Sequence, residues 1–143
     1  MADEYGLKSL DGKALLSCLI WAEARGESLE GQVAVGNVVK NRVLEQKWYG
    51  KTWKEVMLKP FQFSCFNHDN PPAHFHKMLE AWHDRCNDPA MKQAVWIAFG
   101  VIDGQIKDNV YGCNHYHADY VKPKWIEGKT PVRIIERHLF YKL

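Results

Sequence analysis

The run Trp21-Ala22-Glu23-Ala24-Arg25-Gly26-Glu27, continued by Ser28-Leu29-Glu30-Gly31-Gln32-Val33-Ala34-Val35, places an acid where an apolar helix pattern has no use for one. At ~100° per residue, Leu15, Leu16, Leu19 and Ile20 form one helical stripe, and Glu23 falls inside it. A carboxyl on that stripe points toward the core, loses hydration, and is expected to favour its protonated form, as a general acid must. The competing reading is a glutamate at a fraying helix end that bends back to water, with Gly26 ending the helix.

The rest of the chain reads as further helices. Asp11 or Ser9 can cap the first, which runs to Glu23 or Arg25, and Ser28 can cap a second through Val43. Val33, Val35, Val38, Val39 and Val43 would also suit a strand. The length of that segment, with Asn37 and Asn41 on one side, favours a largely buried helix. Thr52-Trp53-Lys54-Glu55 is a capping box for a short helix that must stop by Pro60. Phe61 to Asn67 is then irregular or extended, with polar groups between aromatics.

From Pro72, the recurrence of Phe75, Met78, Leu79, Trp82 and Cys86 predicts a third long helix. Asp88-Pro89 opens another, with Met91, Val95, Ala98 and Ile102 on one face until Gly104. The remainder, Tyr111 to Leu143, is rich in Gly, Pro, His and aromatics, and Val132-Arg133-Ile134-Ile135 could pair as a small hairpin. The expected class is mainly α (α+β), one domain over 1–143 with a small C-terminal β or irregular element.

Composition narrows the function classes. A net charge of +2 is too small to argue for a nucleic-acid partner. Six Trp residues offer flat apolar faces of the kind that grip sugar rings, although core filling accounts for most of them. Met1 to Gly6 shows no basic region followed by an apolar one, and no stretch is long enough for stable membrane insertion. Cytosolic synthesis is therefore expected. Cys18, Cys65, Cys86 and Cys113 form no CxxC pair and suit reduced thiols.

Three blocks carry a family resemblance: Ala22-Glu23-Ala24-Arg25-Gly26-Glu27 with Glu30 to Val35 and Asn41-Arg42-Val43; then Gln62-Phe63-Ser64; and finally His115 to Val121 with Pro123, Trp125, Arg137-His138 and Phe140-Tyr141. Together, over roughly Leu15 to Tyr141, they resemble the SleB/CwlJ-type cell-wall hydrolases. The resemblance implies a lysozyme-like fold and cleavage of the glycan strand of peptidoglycan, with Glu23 as the catalytic acid. It also points toward lytic transglycosylase-like cleavage. Cys65-Phe66 after Ser64 and the His-rich His115-Tyr116-His117 depart from the germination enzymes of that family and leave substrate details open.

Breaking a glycosidic bond needs a proton for the leaving oxygen and a second group to deal with an oxocarbenium-like centre. Glu27, Glu30 and Asp69 are the candidates for that second role, yet none lies on the Leu15 stripe. Glu30 suits the start of the second helix, and Glu27 can fix the turn with Arg25. With no clear partner, the substrate's own hydroxyl becomes the nucleophile and leaves an anhydro sugar end. Gln62 and Ser64 could hold sugar hydroxyls or an acetamido group, or else satisfy loop backbone. Tyr116 could hydrogen-bond Glu23 or simply pack the core, and Tyr120 and Trp125 of the third block are taken as further sugar contacts.

Two other classes compete. Cys65 with His68, and Cys113 with His115 and His117, are ligand types that zinc takes, as a zinc-dependent peptidoglycan amidase would need; no HExxH is present, and no metal or cofactor is expected. A non-catalytic glycan-binding module would use the tryptophans and leave Glu23 without a reason. The favoured expectation is a monomeric phage endolysin, made in the host cytoplasm and acting on the wall after release.

Overall fold

The computed structural model describes residues 3–143; Met1 and Ala2, part of the N-terminal stretch read above, lie outside the described residues. Among the described residues five α-helices precede a small sheet: α1 (Gly12–Ala24), α2 (Leu29–Glu45), α3 (Trp53–Leu58), α4 (Pro72–His83) and α5 (Pro89–Ile102), then β1 (His115–Ala118), β2 (Arg133–Ile135) and β3 (His138–Tyr141). The predicted caps are in place. Asp11 Oδ1 accepts from the Ala14 N–H at 2.8 Å, Ser28 Oγ from Gly31 at 3.1 Å, and Asp88 Oδ1 from Met91 at 2.9 Å. Thr52 and Glu55 form the reciprocal box that starts α3. Each satisfies backbone donors that a helix start leaves unpaired.

Helix α1 is the hub of the fold. Leu15 through Ile20 are all fully buried, because α2, α3, α4 and α5 surround the helix. A helix enclosed on every side has no solvent face for a stripe to oppose. The stripe that selected Glu23 therefore describes a helix wrapped all round, and Glu23 is half-buried where its last turn reaches the surface. In α4, Phe75, Met78 and Ala81 face the core, whereas Cys86 lies past the helix end and is exposed.

Helix α2 serves two cores. Val35 and Val39 join the helical core, while Ala34 and Val38 pack beneath the sheet with Val110, Cys113, Ile135 and Phe140. The polar side of α2 does not face water. Asn37 Nδ2 donates to the Val33 and Lys107 carbonyls, Asn41 Nδ2 to Cys113 O at 2.9 Å, and Arg42 Nε to Asn114 O at 2.7 Å. These bonds pin the 107–114 loop against α2 and so place β1.

The expected hairpin is β2–β3, and β1 adds to the other edge of β3 to give an antiparallel sheet in the order β1-β3-β2. The register sets Tyr116 opposite Phe140 and Ala118 opposite His138. No described helix is long and apolar enough to cross a membrane.

All four cysteines are free, and only Cys86 is exposed. Burial pushes the Cys18 thiol up to about 12, so it is a poor nucleophile near neutral pH. A thiol-directed reagent should accordingly label the native protein once, at Cys86, and a mild reductant should leave its melting temperature unchanged. Rapid labelling of a second site by intact mass, or a melt that falls on reduction, would contradict this arrangement.

Candidate active site

Glu23 stands at the C-terminal end of α1, where a loop after α3 crosses it. In that loop Ser64–Phe66 forms a single 3₁₀ turn. The turn aims the Ser64 hydroxyl and the Cys65 N–H at the same atom, Glu23 Oε1, at 3.1 and 3.2 Å. The loop is itself held. His74 Nε2 donates to Cys65 O at 2.7 Å, and Asn70 Nδ2 donates to Ser64 O at 2.6 Å and Asn67 O at 2.9 Å. No hydrogen bond from a described side chain or backbone group reaches Oε2. One oxygen of the acid is thus fixed, and the other is free to meet a ligand.

A groove of about 370 Å³ opens from Glu23 between the 61–67 loop and the sheet. Glu23, Gln62, Ser64, Tyr116, Tyr120 and Trp125, six of the residues named from sequence, all line it. Tyr120 at 79% and Phe61 at 81% exposure present open ring faces on the groove. Phe61 was not among the named candidates; its position beside Gln62 was the available signal. Trp125 packs against His115, His117 and Tyr141, with ring centroids 5.1 to 5.8 Å away.

Arg42 is a second residue that sequence reading left without a role. Its buried guanidinium lies between the Tyr49 and Phe63 rings and donates to Gln62 Oε1 at 3.1 Å. It therefore orients the Gln62 amide, leaving the amide nitrogen for a ligand's acceptor.

Tyr116 is not hydrogen-bonded to Glu23. Burial, reinforced by the negative charge of Glu23, pushes its phenol well above the usual range, so it stays a neutral donor. Burial and the Arg42 charge bring His115 down to about 4, leaving it neutral as well.

The two further acidic candidates separate. Glu30 is exposed and paired with Arg133, outside the groove. Glu27 lines an adjoining cavity of about 350 Å³ that shares Glu23, Tyr120 and His138 with the groove. It does not bond Arg25, which donates instead to Trp21 O at 2.9 Å and sits over the Trp21 ring, 3.9 Å from its centroid. Asp69 is exposed and lines neither cavity.

The proposed zinc ligands do not assemble. Cys113 sits beneath the sheet, and His117 spends its ring nitrogens on Ala118 O at 2.7 Å and the Tyr141 hydroxyl at 3.0 Å. Among the described residues no three His, Cys, Asp or Glu side chains converge on one point.

A family model described as Cell Wall Hydrolase matches residues 26–141. That span begins after Glu23, so the family match does not include it. A search of curated proteins finds no significant match. Two solved structures share the fold. The catalytic domain of the germination-specific lytic transglycosylase SleB from Bacillus anthracis is 24% identical, with 92% of this chain and 93% of that chain covered and a TM-score of 0.66. The catalytic domain of the Bacillus cereus SleB protein is 23% identical, covering 92% and 89%, with a TM-score of 0.65.

Proposed function

The chain belongs to the cell wall hydrolase family, and from that premise we propose that it cuts the glycan strand of peptidoglycan with Glu23 as general acid. The observation that carries this reading is that Glu23 is the one carboxylate lining the groove among the described residues, with one oxygen held and the other free. A covalent retaining mechanism would place a second carboxyl about 5 Å away across the same bond. Glu27, which lines the adjoining cavity, turns its Oε1 to His138 and is not part of the groove wall; this arrangement supports attack by a hydroxyl of the substrate itself, closing an anhydro ring as the leaving oxygen takes the proton of Glu23. Exposed Phe61 and Tyr120 suit stacking on sugar faces, and Gln62, held by Arg42, suits an acetamido or hydroxyl group.

The biological setting we propose is that of a monomeric phage endolysin, made in the host cytoplasm and acting on the wall after release. Four free thiols support synthesis in a reducing compartment.

Mass spectrometry of digested, purified sacculi tests the chemistry. Fragments one water lighter than hydrolytic products, lacking a reducing muramic acid end, are expected, and dialysis against a strong chelator should leave the yield unchanged. Reducing-end fragments alone would require water as the nucleophile. Free stem peptides with intact glycan, or loss of activity restored by zinc, would favour the amidase; binding without any product would favour the glycan-binding module.

A further inference from the structure

Glu27 Oε1 and His138 Nδ1 face each other at 3.5 Å, and both atoms are buried with no hydrogen-bond partner. Their side chains are only 10% and 8% exposed. Two sealed polar atoms left unsatisfied beside each other are costly, and native structures keep few of them. The separation is slightly too long for a good hydrogen bond, and such bonds in empty sites often tighten when substrate binds. His138 begins β3 and lines both the groove and the adjoining cavity, each of which also contains Glu23. Its Nε2 is neither sealed nor engaged by any described residue, so Nε2 is the ring nitrogen left to meet a ligand.

We infer that His138 is the general base of the reaction and Glu27 its positioning residue. The inference rests on the proposed glycan cleavage. With substrate bound, Glu27 accepts from Nδ1–H, which fixes the imidazole and leaves the Nε2 lone pair toward the groove, as a buried carboxylate does for a catalytic histidine elsewhere. The attacking sugar hydroxyl gives its proton to Nε2 as its oxygen bonds the anomeric carbon. The bond from that carbon to the leaving oxygen breaks, and the leaving oxygen takes the proton of Glu23. One proton enters the protein and one leaves it; exchange with solvent returns Glu23 and His138 to their starting forms.

The surroundings favour a neutral imidazole. Desolvation lowers the His138 pKa most, and His117 on β1 lowers it further. Glu27 from the α1–α2 turn, Glu23 at the end of α1 and Asp119 after β1 pull the other way, and the net direction is down. The Tyr116 ring on β1, 5.3 Å from the imidazole, carries no charge near neutral pH.

Steady-state kinetics against pH, with product analysis and thermal melts on the full chain, test the pair. His138→Gln should lower kcat by ~10²-fold with KM little changed. Glu27→Gln removes a charge that holds the imidazole's proton, so the acidic limb of kcat should move to lower pH. Merely structural roles would lower the melting temperature and leave that limb in place. A folded His138→Gln with wild-type kcat, or a folded Glu27→Gln with an unmoved limb, would overturn the inference; the second variant decides if the first fails to fold. Wild-type enzyme that releases no glycan fragments would overturn the proposed function itself, and this inference with it.

Discussion

Glu23→Gln should lose at least ~10²-fold in glycan cleavage, the usual scale for removing a general acid, while the protein stays folded. The substitution preserves shape and keeps an oxygen that can accept from the Ser64 hydroxyl and the Cys65 N–H. What it removes is the transferable proton. Because the side chain is half-buried at the surface end of α1, its replacement leaves no cavity in the helical core. Thermal stability should therefore stay level, or rise slightly as an ionisable, partly desolvated group disappears. Release of soluble fragments from sacculi, beside a thermal melt, checks both halves. Full activity in a folded variant would sink the mechanism. Glu30→Gln, on an exposed residue paired with Arg133 away from the groove, is the internal control and should cost far less.

Arg42→Ala should damage both fold and function. The guanidinium is buried, donates to Asn114 O at 2.7 Å and to Gln62 Oε1 at 3.1 Å, and fills the space between the Tyr49 and Phe63 rings. Truncation leaves a buried carbonyl unsatisfied and opens a void among aromatic rings. Each effect alone costs on the order of 1 to 3 kcal/mol, so a combined loss of about 3 kcal/mol is expected. In a domain of this size that is a fall of roughly 10 °C in melting temperature. Gln62 loses its tether, and the 107–114 loop that positions β1 loses one of its pins, so activity should fall more than stability alone explains. Arg42→Lys keeps a charge without the planar fork and should recover only part of either loss. Denaturant midpoints and activity on sacculi measure the two effects, and an unchanged midpoint in Arg42→Ala would refute the structural half.

Short-range signals were legible without a structure. Asp11, Ser28, Thr52 with Glu55, and Asp88 each satisfy backbone donors within three residues, so the helix starts follow from neighbours in sequence. The β2–β3 hairpin is local in the same sense. By contrast, Asn37 and Asn41 were legible as the polar side of a largely buried helix, but not the groups they would meet. What Asn41 and Arg42 bind is decided by the 107–114 loop, some 70 residues on, laid across them.

The candidate site divides along the same line. The order of residue types around Glu23, Gln62, Ser64 and Tyr116 was enough to pick out six residues that line one groove. It could not say that Ser64 and Cys65, rather than Tyr116, supply the donors to Glu23, because that depends on a 3₁₀ turn held by Asn70 and His74. Nor could it bring His138 to Glu27, which are joined only when β3 folds against the turn after α1. Capping is set by bonds within one or two helical turns, so the sequence by itself determined where the helices start and that a glutamate stands at the end of the first of them. Which groups meet that acid depends on how separate elements pack, and only the tertiary structure decided it.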